Sequence, residues 1–258
     1  MPTTTATLRS MSRWEAASIH LAISVFTALC TAALLYLLWF PPPYFVAAGA
    51  STLMLLIMGV DVVMGPLLTL VAFSATKSKR MLRIDLTIIG LLQVAAFAYG
   101  LSVICQARPI YVVAAVDRLV VVSANELSDA DLEKGKTPEF RRRSWTGPKL
   151  VGAQPNAADA PSVVMQASSG GNDIDHLPKY YVAYDQVSQS LLRHAHPLSK
   201  LKGIEAAQQA DLQQLTDKAK ERGDSLVYVP LQTRKADFAA ILSTQTHRPV
   251  AVVSANPW

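Results

Sequence analysis

Three long apolar blocks crowd into the first 105 residues, and no other feature constrains the fold as much. Positions 19–40 hold no charged residue, 45–73 hold only Asp61, and 84–105 hold only Asp85. A helix crosses a hydrocarbon core of roughly 30 Å with about 20 residues, and each block has that length. Arg9 and Arg13 precede the first block and small residues (Ala47, Ala48, Gly49, Ala50) follow it, as in a secretory signal. Its apolar run exceeds the roughly 7–15 residues of a cleavable signal, and further blocks follow, so it reads as a retained anchor. Pro41, Pro42 and Pro43 end it, because proline lacks the N–H that another helical turn needs.

The basic residues set an orientation. The connection TKSKRMLR carries Lys77, Lys79, Arg80 and Arg83, whereas the connection around PPPY carries no charge. Basic connections stay in the cytoplasm. The expected arrangement is therefore a cytoplasmic segment 1–18, three transmembrane helices at about 19–40, 45–73 and 84–105, and a periplasmic domain 106–258. The setting is a multi-pass protein of a bacterial inner membrane.

The remainder is charged like a soluble domain. Of 24 basic and 19 acidic residues, positions 1–105 hold only Arg9, Arg13, Lys77, Lys79, Arg80 and Arg83 against Glu15, Asp61 and Asp85. The excess of positive charge left over is small and dispersed, which argues against nucleic acid. Arg141, Arg142 and Arg143 read as a solvated turn. Cys30 and Cys105 fall within or at the end of apolar blocks, so the soluble part has no disulfide.

This part reads as an α+β domain with an antiparallel sheet. IYVVAAV and LVVVS, split by Asp117 and Arg118, predict a hairpin that starts next to the third block. SLVYVPL, FAAILST and PVAVVS predict a meander, with turns at Thr233-Arg234-Lys235 and across 245–248. Between them, GIEAAQQADLQQLTDKAKERG places Ile204, Ala207, Leu212 and Leu215 on one face of a helix ended by Gly223. The Pro, Gly, Ala, Ser and Asn content of 152–175 predicts a long flexible surface loop.

Catalytic and metal motifs are missing. There is no phosphate-binding glycine loop, no Gly-x-Ser-x-Gly elbow and no Cys-x-x-Cys, so neither an enzymatic activity nor a cofactor is expected. His194 and His196 suit the end of the helix VSQSLLRHAH better than a metal site. Asp173, Asp175 and His176 read as loop solvation. The apolar blocks are more informative. Asp61, Gly65 and Thr69 recur at helical spacing on one face, beside Pro66; His20, Ser24, Thr27 and Thr31 do so in the first block, and Gly90, Gln93, Ala96 and Gly100 in the third. Small residues let helices approach, and hydroxyl and amide groups bond across them where lipid offers no partner. At about 1.5 Å per residue, Asp61, Gln93 and Thr27 fall at comparable depths. An ionised carboxylate there costs roughly 2.5–3.5 kcal/mol, so it needs a proton or donors. Pro66 adds a freed carbonyl at Val62. Asp61, Gly65, Pro66, Thr69, Thr27 and Gln93 thus form the expected seam, either internal to the bundle or open to a fourth helix.

MSRWEAASIHL, GVDVVMGPLLTLVAF, LRIDLTIIGLLQVAAFAYGL, ARPIYVVAAVDRLVVVSANEL, GPKLVG and the closing NPW, in this order, resemble the type IV pilin accessory proteins of the TfpX/TfpZ type. The likeness runs from Met11 to the end, apart from 152–180. It implies an inner-membrane protein that assists the major type IV pilin in stability, assembly or the balance of extension and retraction, with no catalytic residue. The implied partners are the pilin's membrane helix, the pilus assembly machinery and the lipid bilayer. A second class stays open from the residues alone: a small transport or proton-relay protein using Asp61, since an intramembrane acid is by default a functional candidate.

Overall fold

The computed structural model describes residues 12–45, 47–73 and 77–258, except the side chains at 50, 53, 56, 57, 79 and 207. Arg9, Thr76 and the Ala207 side chain, used in the reading above, lie outside that description. The chain divides into two compact units, Met1–Leu34 with Ser51–Ile104, and Leu35–Ala50 with Cys105–Trp258.

The first unit is helical. Its elements are α1 (Arg13–Leu34), α2 (Ala50–Ala72) and α3 (Lys79–Ala107), the last two residues of which, with Cys105, belong to the second unit. A capping box starts α1: Ser12 Oγ accepts the Glu15 N–H at 3.1 Å, and Glu15 Oε2 accepts the Ser12 N–H at 2.8 Å. A π-helical turn, Leu35–Trp39, continues it as far as the proline run. At the other end of α2, the Lys77 ammonium donates to the Ala72 carbonyl at 2.9 Å and pairs with Asp85 of α3 at 2.7 Å. One side chain thereby satisfies an orphan carbonyl and ties two helices. By length and composition, Arg13–Trp39 and Arg80–Ala107 suffice to cross a membrane, and the described apolar stretch of α2 is Met58–Ala72. Phe26, Leu29, Val63, Val71, Leu91 and Val94 are exposed on these helices.

The second unit is a mixed sheet with helices on both faces. Its elements are β1 (Pro109–Ala115), β2 (Arg118–Ser123), α4 (Asp129–Glu133), β3 (Lys149–Ala153), α5 (Ala160–Ser168), β4 (Tyr181–Ala183), α6 (Asp185–Arg193), β5 (His196–Pro197), α7 (Ala206–Glu221), β6 (Leu226–Gln232), β7 (Asp237–Ser243) and β8 (Pro249–Val253). The order is β4-β3-β1-β2-β6-β7-β8, with β5 on β6. The hairpin β1–β2 and the meander β6–β7–β8 are antiparallel as expected. The expectation of an antiparallel sheet throughout is corrected, since β3 lies parallel to β1 and β6 parallel to β2. A parallel neighbour needs a crossover of a dozen or more residues, and the long segments after β2 supply it.

Every residue of β1 is buried, because both of its faces are covered. Tyr111, Val113 and Ala115 join Leu132 of α4 and Val163 of α5 in one core. Val112 and Ala114 join Leu191 of α6, Val229, Leu231 and Ala240 in a second. A third sets Leu212 and Leu215 of α7 against Ala239, Ile241 and Val253. The turn between β1 and β2 lies one residue earlier than the sequence suggests: Val116 takes φ +56°, and Arg118 already pairs with Ala115. The flexible loop expected at 152–175 is also corrected. Residues 152 and 153 are in β3, α5 fills Ala160–Ser168, and a short 3-10 turn spans Ile174–His176. Arg143 is no solvated turn residue; it donates to the carbonyls of Ala124 at 3.0 Å and Leu127 at 2.6 Å and pairs with Asp129.

The connection between α1 and α2 belongs to this second unit. Ala47 is 3% exposed in the second core, and Tyr44 packs against that core. Burial, with the neighbouring Tyr184 hydroxyl, raises the Tyr44 phenol above its ordinary pKa.

Candidate functional site

Helical spacing brings the polar residues of the three apolar helices to one place. A cleft of about 260 Å³ in the first unit is lined by His20, Ser24 and Thr27 of α1, Met58 and Asp61 of α2, and Gly90, Gln93 and Phe97 of α3. Three of the expected seam residues, Asp61, Thr27 and Gln93, therefore share a wall. Gly65 and Thr69 lie along the same face of α2, where Thr69 is buried and its hydroxyl is 2.6 Å from His20 Nδ1. Pro66 sits inside α2, which remains helical through it.

The contacts differ from simple donation to the acid. The Gln93 amide reaches the backbone carbonyl of Asp61 at 3.5 Å, one turn before Pro66. No hydrogen bond or ion pair engages the Asp61 carboxylate among the described residues. Thr31, placed by spacing on the α1 stripe, donates to the Thr27 carbonyl at 2.8 Å and is spent within its own helix. Two glycines play opposite parts. A Cβ on Gly65 would overlap the Gln93 amide and come within 3.0 Å of His20 Nε2, so any larger residue there would displace the ends of these two side chains. A Cβ on Gly90 would meet nothing within 4 Å, because that residue borders open space. The arrangement can hydrogen-bond and can hold a side chain or helix face against an acid, an imidazole and an amide in apolar surroundings.

The other chemical groups serve the second unit's architecture. His194 Nδ1 lies 3.0 Å from the Ser190 carbonyl at the end of α6, and the His196 ring packs on Tyr228 at 5.5 Å. Asp175 and His176, read from sequence as loop solvation, form a 2.8 Å pair, and Asp175 is only 7% exposed. The hydrogen bond that His176 donates to the Asp175 carboxylate raises the His176 pKa against the opposing effect of burial, with further help from the charges of Asp175, Glu126 and Asp173. Tyr181, its pKa pushed well up by burial, donates to the Asp175 carbonyl at 2.5 Å.

Sequence reasoning missed Arg108. It is 4% exposed and paired with no carboxylate among the described residues. Nε donates to the Ser144 carbonyl at 3.2 Å, and Nη1 reaches the Cys105 carbonyl and, at 3.0 Å, its sulfur. The guanidinium lies 4.4 Å from the Trp145 ring centre and 5.7 Å from that of Trp39. The usable signal was an arginine directly after an apolar helix, in a chain with few tryptophans.

A family model for the fimbrial assembly protein FimB matches residues 8–49. Over 238 residues the chain is 31% identical to the fimbrial assembly protein of serogroup E1 from Dichelobacter nodosus, covering 91% of this chain and 92% of that protein. The serogroup I protein of the same organism is 32% identical over 239 residues, with the same coverage. The protein of serogroups C1 and C2 is 36% identical over 109 residues, which is 42% of this chain and 83% of that protein. No solved structure matches.

Proposed function

We propose, because this chain belongs to the fimbrial assembly protein family, that it serves fimbrial biogenesis as a non-enzymatic accessory protein of the inner membrane. Its client is the major type IV pilin, whose membrane helix lies against the cleft between α1, α2 and α3 while it awaits assembly or returns from a fibre. The observation that carries this reading is the cleft. Three apolar helices leave the Asp61 carboxylate without a partner among the described residues, beside open space at Gly90. A fourth helix would supply both the missing donor and the missing packing.

Two observations support the membrane arrangement. The apolar helices expose leucine, valine and phenylalanine on a scale that suits lipid better than water. The α1–α2 connection packs Tyr44 and Ala47 into the core of the sheet domain, and segments that share a core stand on the same side of a bilayer. An α2 that crosses the bilayer would put that side opposite the basic connection at 77–83, in keeping with a cytoplasmic connection and a periplasmic domain.

Paired substitutions at Asp61 test the reading by co-purification of pilin from gently solubilised membranes. Asp61→Asn keeps size and bonding capacity and is expected to retain most pilin binding. Asp61→Leu is expected to lose it while still inserting at normal levels. If both variants bind pilin normally, the cleft is not the client site. Asn as defective as Leu, together with proton flux in vesicles lacking pilin, would favour the proton-relay reading, which His20 and Asp61 in one cleft also supply with groups.

A further inference from the structure

We propose that Arg108, set between Trp39 and Trp145, holds the phosphate of an anionic phospholipid, so that the connection at 144–147 lies in the headgroup layer on the sheet domain's own side of the membrane. The inference rests on the reading that the apolar helices cross a bilayer. Three segments of the chain meet at this place. Arg13–Trp39 and Arg80–Ala107 are long and apolar enough to cross a membrane; Trp39 ends the first stretch and Arg108 directly follows the second. The third segment is the connection between α4 and β3, whose Trp145 ring centre lies 4.4 Å from the guanidinium, with that of Trp39 at 5.7 Å. A Cβ on Gly147 would come within 2.7 Å of Pro41 Cγ and 3.6 Å of the Leu38 carbonyl oxygen. This connection is therefore laid on the chain that leaves the first apolar stretch. The residues in contact all belong to the second unit.

The lengths of the apolar stretches set the level of the site. A helix that fills the hydrocarbon core ends in the headgroup layer, where tryptophan and tyrosine gather because their rings are apolar and their polar ends are wet. Trp145 is 64% exposed and Leu37, two residues before Trp39, is 70% exposed. Tyr36 and Phe45 add an edge-to-face pair at 5.2 Å in the same segment. A bilayer surface accommodates this set, with Leu37 toward the acyl chains and Trp145 among the headgroups.

The electrostatics select the headgroup. Arg108 is 4% exposed, and a charge buried that far normally has a partner of opposite sign. Its partners here are neutral: Nε serves the Ser144 carbonyl, and Nη1 serves the Cys105 carbonyl and sulfur. Nη2 has no hydrogen-bond partner among the described residues. No buried side-chain nitrogen among them goes without one, so Nη2 is not sealed in and its two N–H groups are open to an acceptor. A phosphate oxygen accepts from them, and its charge offsets the guanidinium in a charge-assisted bond. Between α4 and β3 the chain carries Lys134, Lys136, Arg141, Arg142 and Arg143 against Glu139 alone, which also favours an anionic surface. A second copy of this chain would set like charges against each other.

The test uses the full-length protein in vesicles of phosphatidylcholine with a minor share of phosphatidylglycerol. A benzophenone side chain is introduced at position 146, beside an intact Trp145, and in a second preparation at position 37, and the adducts are identified by mass spectrometry. Phospholipid adducts are expected at both positions. At 146, phosphatidylglycerol should exceed its share by about fivefold, the effect of about one basic residue at a membrane surface. Arg108→Gln removes the charge and is expected to abolish that enrichment, with protease resistance of the second unit showing that the variant has folded. Trp145→Ala, at an exposed position, opens one side of the site and is expected to lower the enrichment without affecting the fold. Lipid at 37 with protein adducts or none at 146 would overturn the proposal and leave the membrane reading standing, as would lipid at 146 without enrichment. Enrichment unchanged in Trp145→Ala or in folded Arg108→Gln would also overturn it. No lipid at either position would overturn the membrane reading and this proposal together.

Discussion

Replacing Arg108 by lysine keeps the charge and removes the fork. The native guanidinium serves the Ser144 carbonyl through Nε and the Cys105 carbonyl through Nη1, with its flat face toward Trp145. A lysine ammonium is a point donor on a flexible stem and cannot meet both carbonyls from one position while stacking on the ring. One charge-assisted hydrogen bond is worth about 1.5–3 kcal/mol, and a partly desolvated cation–π contact about 0.5–2 kcal/mol. Lysine keeps part of the second contribution, so Arg108→Lys is expected to cost about 2–4 kcal/mol. For a domain of this size that corresponds to a fall of roughly 5–15 °C in melting temperature. Arg108→Ala is expected to cost more, because it strands both carbonyls and empties a buried site. The assay is thermal unfolding of the solubilised full-length protein, followed by the protease resistance of the second unit. A lysine variant that melts within about 2 °C of the parent would refute the argument that the fork, and not the charge, holds the segments around Cys105, Ser144 and Trp39 together.

Val113 is fully buried between Val120 and Val151, so Val113→Asp places an unpaired charge in the first core. It is expected to leave the second unit unfolded and protease-sensitive, and a resistant, soluble variant would contradict that burial. The raised pKa of His176 means that the folded state holds its proton more tightly than the unfolded chain. Its contribution is complete below the unfolded value of about 6.5 and is lost as pH rises through the folded value, so melting at about pH 6 should exceed that at about pH 8 by more in the parent than in His176→Gln. Equal differences in the two proteins would remove His176 from the pH dependence. A topology reporter fused after Ser78 is expected to be active only in the cytoplasm and one fused after Trp258 only in the periplasm, and the reverse pattern would end the client-facing reading.

The local elements were legible and their long-range order was not. β-branched runs announced β1, β2, β6, β7 and β8, and the apolar spacing of Leu212 and Leu215 announced α7. The parallel joins β1–β3 and β2–β6 depend on which distant edges meet, which no local period encodes. α5 was hidden because APSVVMQAS combines a proline, small residues and serines; proline is acceptable in a first turn, and one buried residue, Val163, anchors the helix. Arg108, Arg143 and the Asp175–His176 pair escaped because composition treats charged side chains as solvated, whereas here carbonyl oxygens and one another satisfy them. In the helical unit, spacing found the face carrying Asp61, Gly65 and Thr69. It did not find that Gln93 would choose the Asp61 carbonyl, or that His20 would take Thr69.

Polar satisfaction elsewhere gives the open place at Asp61 its meaning. Among the described residues no buried side-chain nitrogen or oxygen lacks a hydrogen-bond partner. Tyr111, with its pKa raised to about 12 chiefly by burial, still donates to the carbonyls of Glu139 and Arg142, and Tyr184 donates to the His247 carbonyl. Even backbone groups just past β8 are taken up by Gln208 and Lys202. Against that background, the Asp61 carboxylate is a departure of a different kind. An unpaired acid within apolar helices costs roughly 2.5–3.5 kcal/mol when ionised. A chain that turns backbone carbonyls toward its buried tyrosine hydroxyls could have closed that place with a leucine. That it keeps an acid there is what an accessory protein requires if a client supplies the missing donor.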